Sequence, residues 1–248
     1  MADGTRRREA LAERARQAWA EHPLAAAVLP GLVLVAAGLL GFAVMLDSVR
    51  EADDFTVLDE PVLDWLVAHR TPALTATLLA ITFVTGPVVL PAVVALGALA
   101  WGLAAREWWR PVLLVGAMAT SGLLGLAVKS GVGRPRPPAA TQLVPGAETT
   151  FSFPSGHTIG TATLCLVGGY LLWSRRPSVG GLVVWGLTTA ALTGAVGLSR
   201  LYLGYHFLTD VLAAAALAVA VLGVVVAVDR VHLLRSRSRP PSAAPARP

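Results

Sequence analysis

Residues 151–173 read FSFPSGHTIGTATLCLVGGYLLW, a Pro-Ser-Gly-His turn followed at once by a long uncharged run. Ser155 is a common N-cap residue, so the sequence predicts that a helix begins at this turn. The run after the turn is apolar enough for the interior of a bilayer. Because the start of a helix presents backbone N–H groups and favours negative charge, the stretch predicts a membrane helix whose entry binds an anion.

The composition places the whole chain in the membrane class. Of 248 residues, 55% are hydrophobic and 14% are charged, and the mean hydropathy is +0.65, which is far more apolar than a soluble domain. The net charge of +5 would suit nucleic acid, but the arginines cluster at the chain ends and in short loops beside apolar runs. That distribution is typical of membrane topology, so we expect contacts with membrane lipids and no nucleic-acid partner.

Six predominantly apolar runs approach or exceed the roughly 20 residues that a helix needs to cross a bilayer. They cover residues 24–46, 73–103, 111–128, 157–173, 178–199 and 207–228. The second run is longer than one span requires, and its segment GPVVLP (86–91) predicts a kink or break. The predicted fold is an all-α, polytopic bundle of six transmembrane helices over residues 24–228, between an N-terminal tail (1–23) and a disordered C-terminal tail (229–248).

The distribution of basic residues predicts the orientation. Six spans place both termini on the same side as the loops at 104–110 and 174–177, and this side contains all but six of the 20 Lys and Arg residues. By the positive-inside rule it is the cytoplasm. We therefore expect a multi-pass protein of the cell membrane with both termini in the cytoplasm.

The outer loop between the first two spans, residues 47–70, predicts a short amphipathic helix. Leu58, Val62 and Leu66 align on one face of such a helix, and the acidic residues, Asp59 among them, fall elsewhere. The helix either lies in the membrane interface or packs as a cap on the outer loops, and the sequence supports both alternatives equally.

Three polar stretches fall on the outer face of this topology, at residues 129–137, 154–157 and 199–210. They contain Lys129, Arg134, Arg136, Arg200, His157, His206 and Asp210. Each of these residues alone has an ordinary explanation as a topology determinant or a helix-end group. Ionisable residues at membrane depth are costly, however, and their convergence on one face predicts a functional site for an anion.

The third stretch combines a histidine with a carboxylate. His206 and Asp210 are four residues apart and share a helical face if the last helix begins near Tyr205. Asp210 then accepts a hydrogen bond from one ring nitrogen and leaves the other as a nucleophile. In the PSGH turn, Gly156 allows an anion to approach the backbone, and His157 stands beside that anion.

These stretches resemble the three signatures of the type 2 phosphatidic acid phosphatase (PAP2) superfamily. The matching residues are Lys129 with Arg136-Pro137, then Pro154-Ser155-Gly156-His157, then Ser199-Arg200 with His206 and Asp210. The chain is similar to the membrane branch of that superfamily across about residues 24–228. The resemblance implies a lipid phosphate phosphatase that needs no metal or other cofactor.

The resemblance also implies the roles of the site residues. It implies that the phosphoryl oxygens are held by Lys129, Arg136, Ser155, Gly156 and Arg200. His206 attacks phosphorus in this scheme, and His157 protonates the leaving group. No role follows for Arg134.

Three other classes of protein are alternatives to a metal-independent phosphatase. With Asp210 as the single carboxylate among the signature residues, a two-metal hydrolase is disfavoured, and fixed cations replace Mg²⁺ at the phosphoryl group. The superfamily also contains soluble vanadium-dependent haloperoxidases, against which the six spans argue. A non-catalytic lipid-phosphate binder or transporter would need the cations but not both histidines, so the sequence favours an enzyme.

The sequence leaves the lipid open. Undecaprenyl diphosphate suits an outward-facing site in a high-GC bacterium, which the Ala/Gly/Arg-rich composition suggests. Phosphatidic acid and phosphatidylglycerophosphate are the alternatives. The residues do not indicate an oligomeric state.

Overall fold

The computed structural model describes residues 21–146 and 148–238, and within them it contains helices and no strand. The α-helices are α1 (Pro23–Glu51), α2 (Asp59–Ala68), α3 (Pro72–Val84), α4 (Val89–Ala105), α5 (Trp109–Val132), α6 (Gly156–Trp173), α7 (Val179–Tyr202) and α8 (Leu208–Arg237), and a 3₁₀ helix (Asp54–Leu58) precedes α2. The predicted all-α fold is confirmed. Residues 1–20 of the predicted N-terminal tail and residues 239–248, the second half of the predicted C-terminal tail, lie outside the described residues.

The described chain contains up to five helical segments that are long and apolar enough to cross a membrane. These are α1, α5, α7, α8 and the bent pair α3–α4. The helix α6, predicted as a span, is present with 18 residues but falls outside this set. Its apolarity is reduced by His157, three threonines and four glycines. The protein is therefore polytopic as predicted, and up to five of the six predicted spans meet this criterion of length and apolarity among the described residues.

The predicted break in the second apolar run is present. The helix α3 ends at Val84 and α4 begins at Val89, and their axes are bent by 53°. Non-helical backbone at membrane depth is tolerated where it lines a cavity or is buried in protein. Thr85, Gly86 and Pro87 of the break do line a cavity.

The helix α8 forms the centre of the bundle. Ala213, Ala214 and Ala218 are fully buried on it. The helix α1 packs closely against α8, and a Cβ atom on Gly38 would lie 2.4 Å from the backbone nitrogen of Ala220. Small residues of this kind let helix backbones approach each other where lipid supplies no hydrophobic driving force between helices.

The last helix extends beyond its predicted end at Val228 and continues to Arg237. The prediction that a disordered tail begins at residue 229 is therefore wrong for its first part. Asp229 is fully buried and accepts hydrogen bonds from Trp109 Nε1 (2.9 Å) and Tyr170 Oη (3.1 Å). These bonds satisfy the carboxylate inside the protein and fasten the end of α8 to α5 and α6.

The helix α2 confirms the helix predicted in the outer loop, and it packs as a cap on the end of α7 and the start of α8. Leu66 is buried in a cluster with Tyr202 at the end of α7. The predicted apolar face is partly wrong, because Leu58 is 48% exposed and Asp59 is 2% exposed. Asp59 faces inward because its carboxylate accepts a hydrogen bond from the backbone nitrogen of Thr209 at 2.9 Å.

Candidate active site

A cavity of about 400 Å³ lies among α4, α5, α6 and the loops at their ends. Its polar lining consists of Lys129, Arg136, Glu148, Thr150, Gly156, His157 and His206 together with Thr85 and Ser121. Its apolar lining includes Leu90, Met118 and Leu126. Met118 precedes Lys129 on α5 by three turns, which is about 16 Å along the helix axis. The cavity therefore extends from a cationic region along the membrane helices.

His206 is the buried histidine of this cavity and lies in the link between α7 and α8. Its Nδ1 atom is 3.1 Å from Oδ2 of Asp210. The same carboxylate oxygen accepts hydrogen bonds from the backbone nitrogen of Phe207 (2.9 Å) and from the Ser152 hydroxyl. Because the ionised carboxylate is an acceptor, it favours the tautomer that carries hydrogen on Nδ1 and a lone pair on Nε2. The Nε2 atom lies 3.3 Å from Nη1 of Arg136.

His206 and Asp210 are in contact as predicted, but they do not lie on the same helix. The helix α8 begins at Leu208 rather than near Tyr205, so His206 precedes the helix and the pair is not an i,i+4 pair within it. Asp210 instead lies in the first turn and accepts a hydrogen bond from the N-cap residue Phe207. The predicted pairing is present because the start of the helix brings the two side chains together.

The surroundings of His206 favour its neutral form. Burial lowers the pKa of His206 to about 4, and Arg200 and Arg136 act in the same direction. The carboxylate of Asp210 acts in the opposite direction without cancelling this effect. The imidazole is therefore uncharged at neutral pH, which a nitrogen nucleophile requires.

The PSGH turn places the start of α6 at the cavity. Gly156 and His157 line the cavity, and the first amide groups of the helix have no acceptor within it. Ser155 occupies the N-cap position, but it is fully buried and its hydroxyl accepts a hydrogen bond from Thr158 Oγ1 at 3.0 Å. The backbone nitrogen of Ser155 donates to the carbonyl of Asp210 at 3.1 Å. This bond fixes the start of α6 relative to the start of α8.

Two cations of the first motif line the cavity and are held by backbone carbonyls. Arg136 donates from Nε to the carbonyl of Thr150 (2.7 Å) and from Nη1 to that of Tyr205 (2.8 Å). Lys129 donates from Nζ to the carbonyls of Phe151 (2.5 Å) and Ser152 (3.2 Å). These bonds give both cations defined positions in the lining of the cavity.

Glu148 lies between two arginines of the predicted site. One carboxylate oxygen is 2.6 Å from Nη2 of Arg136, and the other pairs with Nη2 of Arg200. Although burial acts to raise it, Arg200 and Arg136 hold the pKa of Glu148 below its ordinary value. Glu148 is therefore an anion in the position where two guanidinium groups converge.

Arg200 is fully buried and is not among the described residues that line the cavity. Its Nη1 atom is 3.5 Å from the hydroxyl of Thr82. Its Nε atom is buried and has no hydrogen-bond partner among the described residues. Arg200 is thus linked to the cavity by its ion pair with Glu148, and its Nε–H donor has no partner among the described residues.

The structure separates the predicted site residues into two groups. Lys129, Arg136, Gly156, His157 and His206 line the cavity. Asp210, Ser155 and Arg200 are fully buried and are not part of this lining.

Sequence reasoning missed Glu148 and Ser152. Glu148 has a detectable signal, since it is the only acidic residue between Lys129 and Asp210. Ser152 has none, because its hydrogen bond joins it to a carboxylate far along the chain. Among the described residues, no group of three or more His, Cys, Asp and Glu side chains is placed to hold a metal ion.

Comparison with known protein families gives one match to the motif region. The model of the PAP2 superfamily matches residues 110–232. Phosphatidylglycerophosphatase B of Bacillus subtilis (strain 168) is 32% identical over 177 residues, which cover 70% of this chain and 81% of that protein. The protein of the same name from Escherichia coli (strain K12) is 40% identical over 79 residues, which cover 31% of this chain and 28% of that protein.

Solved structures show the same fold. The crystal structure of a transmembrane PAP2 type phosphatidylglycerolphosphate phosphatase from Bacillus subtilis superposes with a TM-score of 0.68 at 26% identity, over 83% of this chain and 99% of that chain. Aquifex aeolicus LpxE superposes with a TM-score of 0.50 at 21% identity, over 68% of this chain and 94% of that chain. The second likeness concerns the fold alone.

Proposed function

The chain belongs to the PAP2 superfamily and is a lipid phosphatase of that family, and on this premise we propose that it hydrolyses a lipid phosphate through a phosphohistidine on His206. The observation that supports this proposal is the position of the His206 imidazole. Its Nδ1 atom is held by Asp210 while its Nε2 atom lies beside Arg136. A neutral imidazole with one fixed nitrogen is prepared to attack phosphorus with the other.

The first step forms the phosphoryl-enzyme. Nε2 of His206 attacks phosphorus, and the bond between phosphorus and the lipid oxygen breaks. Because the bound phosphoryl anion favours the charged form of a nearby imidazole, His157 is protonated in the complex with substrate and donates its proton to that oxygen. The lipid then leaves as a neutral alcohol or, from a diphosphate, as a monophosphate. Asp210 stabilises the positive charge that develops on His206.

The second step releases phosphate. Neutral His157 takes a proton from water, the resulting nucleophile attacks phosphorus, and the bond between phosphorus and Nε2 breaks. Inorganic phosphate leaves, and both histidines return to their starting states. A second cavity of about 500 Å³ shares His157 and Glu148 with the first, and it offers water a route to His157.

Positive side chains supply the electrostatic stabilisation. Lys129 and Arg136 line the cavity, and Arg200 adds a third cation together with its unused Nε donor. Phosphoryl transfer needs positioning and neutralisation of the equatorial oxygens more than covalent assistance. We therefore infer that no metal ion takes part, and that the amide groups at the start of α6 bind a phosphoryl oxygen.

The shape of the cavity supports a substrate with a membrane-embedded chain. Its apolar lining reaches Met118 and Leu126 on α5, and Leu126 is 57% exposed on the surface of the bundle. A lipid headgroup can lie against the cations while its chains leave between α4 and α5 toward the bilayer. A soluble phosphate ester would gain nothing from this lining.

We propose phosphatidylglycerophosphate as the substrate, because two relatives bear the name phosphatidylglycerophosphatase B. Undecaprenyl diphosphate is the second candidate, favoured by the expected outward orientation of the site. That orientation follows from the basic loops and places both termini in the cytoplasm.

The test measures phosphate release and the covalent adduct in the same samples. Purified protein is given phosphatidylglycerophosphate, phosphatidic acid or undecaprenyl diphosphate, quenched in alkali, which preserves phosphohistidine, and analysed by mass spectrometry. His206→Ala should abolish turnover and the adduct, and His157→Ala should lower kcat about 10²- to 10⁴-fold. Chelators should leave activity intact.

Several outcomes would contradict the proposal. An adduct on His157, or ordinary turnover by His206→Ala, would exclude the assigned roles. Complete loss of activity on chelation with recovery on addition of Mg²⁺ would exclude a metal-independent reaction. Binding of all three lipids without phosphate release would favour a non-catalytic binder or transporter.

A further inference from the structure

Arg134, to which the motifs assign no role, lies behind the nucleophile rather than in the cavity. Its Nη1 atom donates to Oδ1 of Asp210 at 2.7 Å, and its Nη2 atom donates to Oδ2 of Asp59 at 2.7 Å. Both carboxylates are buried, with exposures of 0% for Asp210 and 2% for Asp59. One guanidinium group thus joins two buried carboxylates.

The contact with Arg134 fixes the orientation of the Asp210 carboxylate. Oδ1 is held by Arg134, and Oδ2 lies 3.1 Å from Nδ1 of His206. Because the two oxygens have different partners, rotation of the carboxylate would break both contacts. Arg134 therefore acts on the group that selects the tautomer of His206.

Asp59 holds Arg134 from the opposite side. Its Oδ1 atom accepts from the backbone nitrogen of Thr209 (2.9 Å), and its Oδ2 atom accepts from the hydroxyl of the same residue (2.7 Å). These bonds fix Asp59 against the first turn of α8. The residue comes from α2, outside the residues 110–232 that match the family model.

We propose that Arg134 and Asp59 are positioning residues that act in series: Asp59 orients Arg134, and Arg134 orients Asp210 against His206. The proposal rests on the proposed nucleophilic role of His206. The same contacts would affect only the stability of the protein if they served solely to fasten the cap α2 to α8. The rate per folded enzyme molecule separates the two roles.

The experiment compares Asp59→Asn, Arg134→Gln and Arg134→Lys with the unmodified protein. We expect kcat to fall about 10- to 100-fold, as for small displacements of reacting groups. KM and inhibition by inorganic phosphate should change little, because Lys129 and Arg136 remain. Asp64→Asn is the matched control, since Asp64 is exposed on the same helix, and its kcat should equal that of the unmodified protein.

A double variant tests the order of action. If Asp59 acts through Arg134, the combination Asp59→Asn with Arg134→Gln should be no slower than Arg134→Gln alone. Multiplied losses would contradict action in series. The folded fraction of each variant is measured by size exclusion and thermal unfolding, so that kcat is expressed per folded molecule. Arg134→Lys keeps the charge with a single donor group and supplies the rate comparison if the glutamine variant does not fold.

Different results would overturn the positioning roles of Asp59 and Arg134 and the nucleophilic role of His206. Normal kcat in folded Asp59→Asn and Arg134 variants, with inactive His206→Ala, would overturn the positioning roles alone. Ordinary turnover by His206→Ala would overturn the nucleophile and the positioning roles together. A fall in kcat matched by an equal weakening of phosphate inhibition would assign Arg134 to anion binding and also contradict the inference.

Discussion

Glu148 and Arg136 form an ion pair at the cavity, with 2.6 Å between Oε2 and Nη2. The other carboxylate oxygen pairs with Arg200. A carboxylate presents two oxygens to these guanidinium groups as a phosphoryl group would. On the proposed function, a substrate phosphate would therefore compete with Glu148 for the same donors.

Glu148→Gln should strengthen inhibition by inorganic phosphate. The amide carries no charge, so phosphate no longer displaces an anion from Arg136 and Arg200. We expect the inhibition constant to fall on the order of tenfold, which corresponds to about 1.4 kcal/mol. The control is Glu107→Gln, because Glu107 pairs with Arg110 and Arg175 away from the cavity. Unchanged or weaker inhibition in Glu148→Gln would show that the carboxylate does not compete with phosphate.

The acid limb of the pH profile should follow His206. Because the pKa of His206 is lowered to about 4, the side chain is neutral above that pH and protonated below it. The value of kcat/KM, corrected for ionisation of the substrate phosphate, should stay level down to about pH 5 and fall as the pH passes through about 4. Tryptophan fluorescence monitors the fold over the same range. An acid limb near the ordinary histidine value of 6.5 would contradict the assignment.

Gly38→Ala should destabilise the contact between α1 and α8. The added Cβ atom would lie 2.4 Å from the nitrogen of Ala220 and 2.6 Å from the carbonyl oxygen of Ala216, and overpacking of this kind costs about 1–3 kcal/mol. Gly97→Ala on α4 is the control, since a Cβ atom there meets nothing within 4 Å. Thermal unfolding in detergent should show a lower midpoint for the first variant only. Equal midpoints for the two variants would show that α1 and α8 accommodate the added methyl group without loss of stability, which contradicts the prediction.

Cysteine labelling should report the orientation. In a background without Cys165, Ala140→Cys should react with a membrane-impermeant maleimide in intact spheroplasts. Arg176→Cys should react only after the membrane is opened, because its loop belongs to the basic side. Both positions are exposed in the structure, so lack of reaction reflects the membrane rather than burial. The reverse labelling pattern would invert the proposed orientation.

Much of the fold follows from features that are local in the chain. The break between α3 and α4 is visible in GPVVLP, and the start of α6 is visible in the PSGH turn. The spacing of His206 and Asp210 does not show how they meet, because a carboxylate that caps a first turn and one that pairs along a helix have similar spacing. The extent of α8 was misjudged, since the sequence shows Asp229 as a charge and the fold supplies its partners on Trp109 and Tyr170.

The sequence by itself determined the membrane class, the helical architecture and the family, because hydropathy and motif spacing are properties of short stretches of chain. The tertiary structure alone decided that Glu148 lies between Arg136 and Arg200, and that Asp59 reaches Asp210 through Arg134. These partners are distant in sequence. The energy of a buried charge depends on which groups surround it in three dimensions, so its role appears only once the helices are packed.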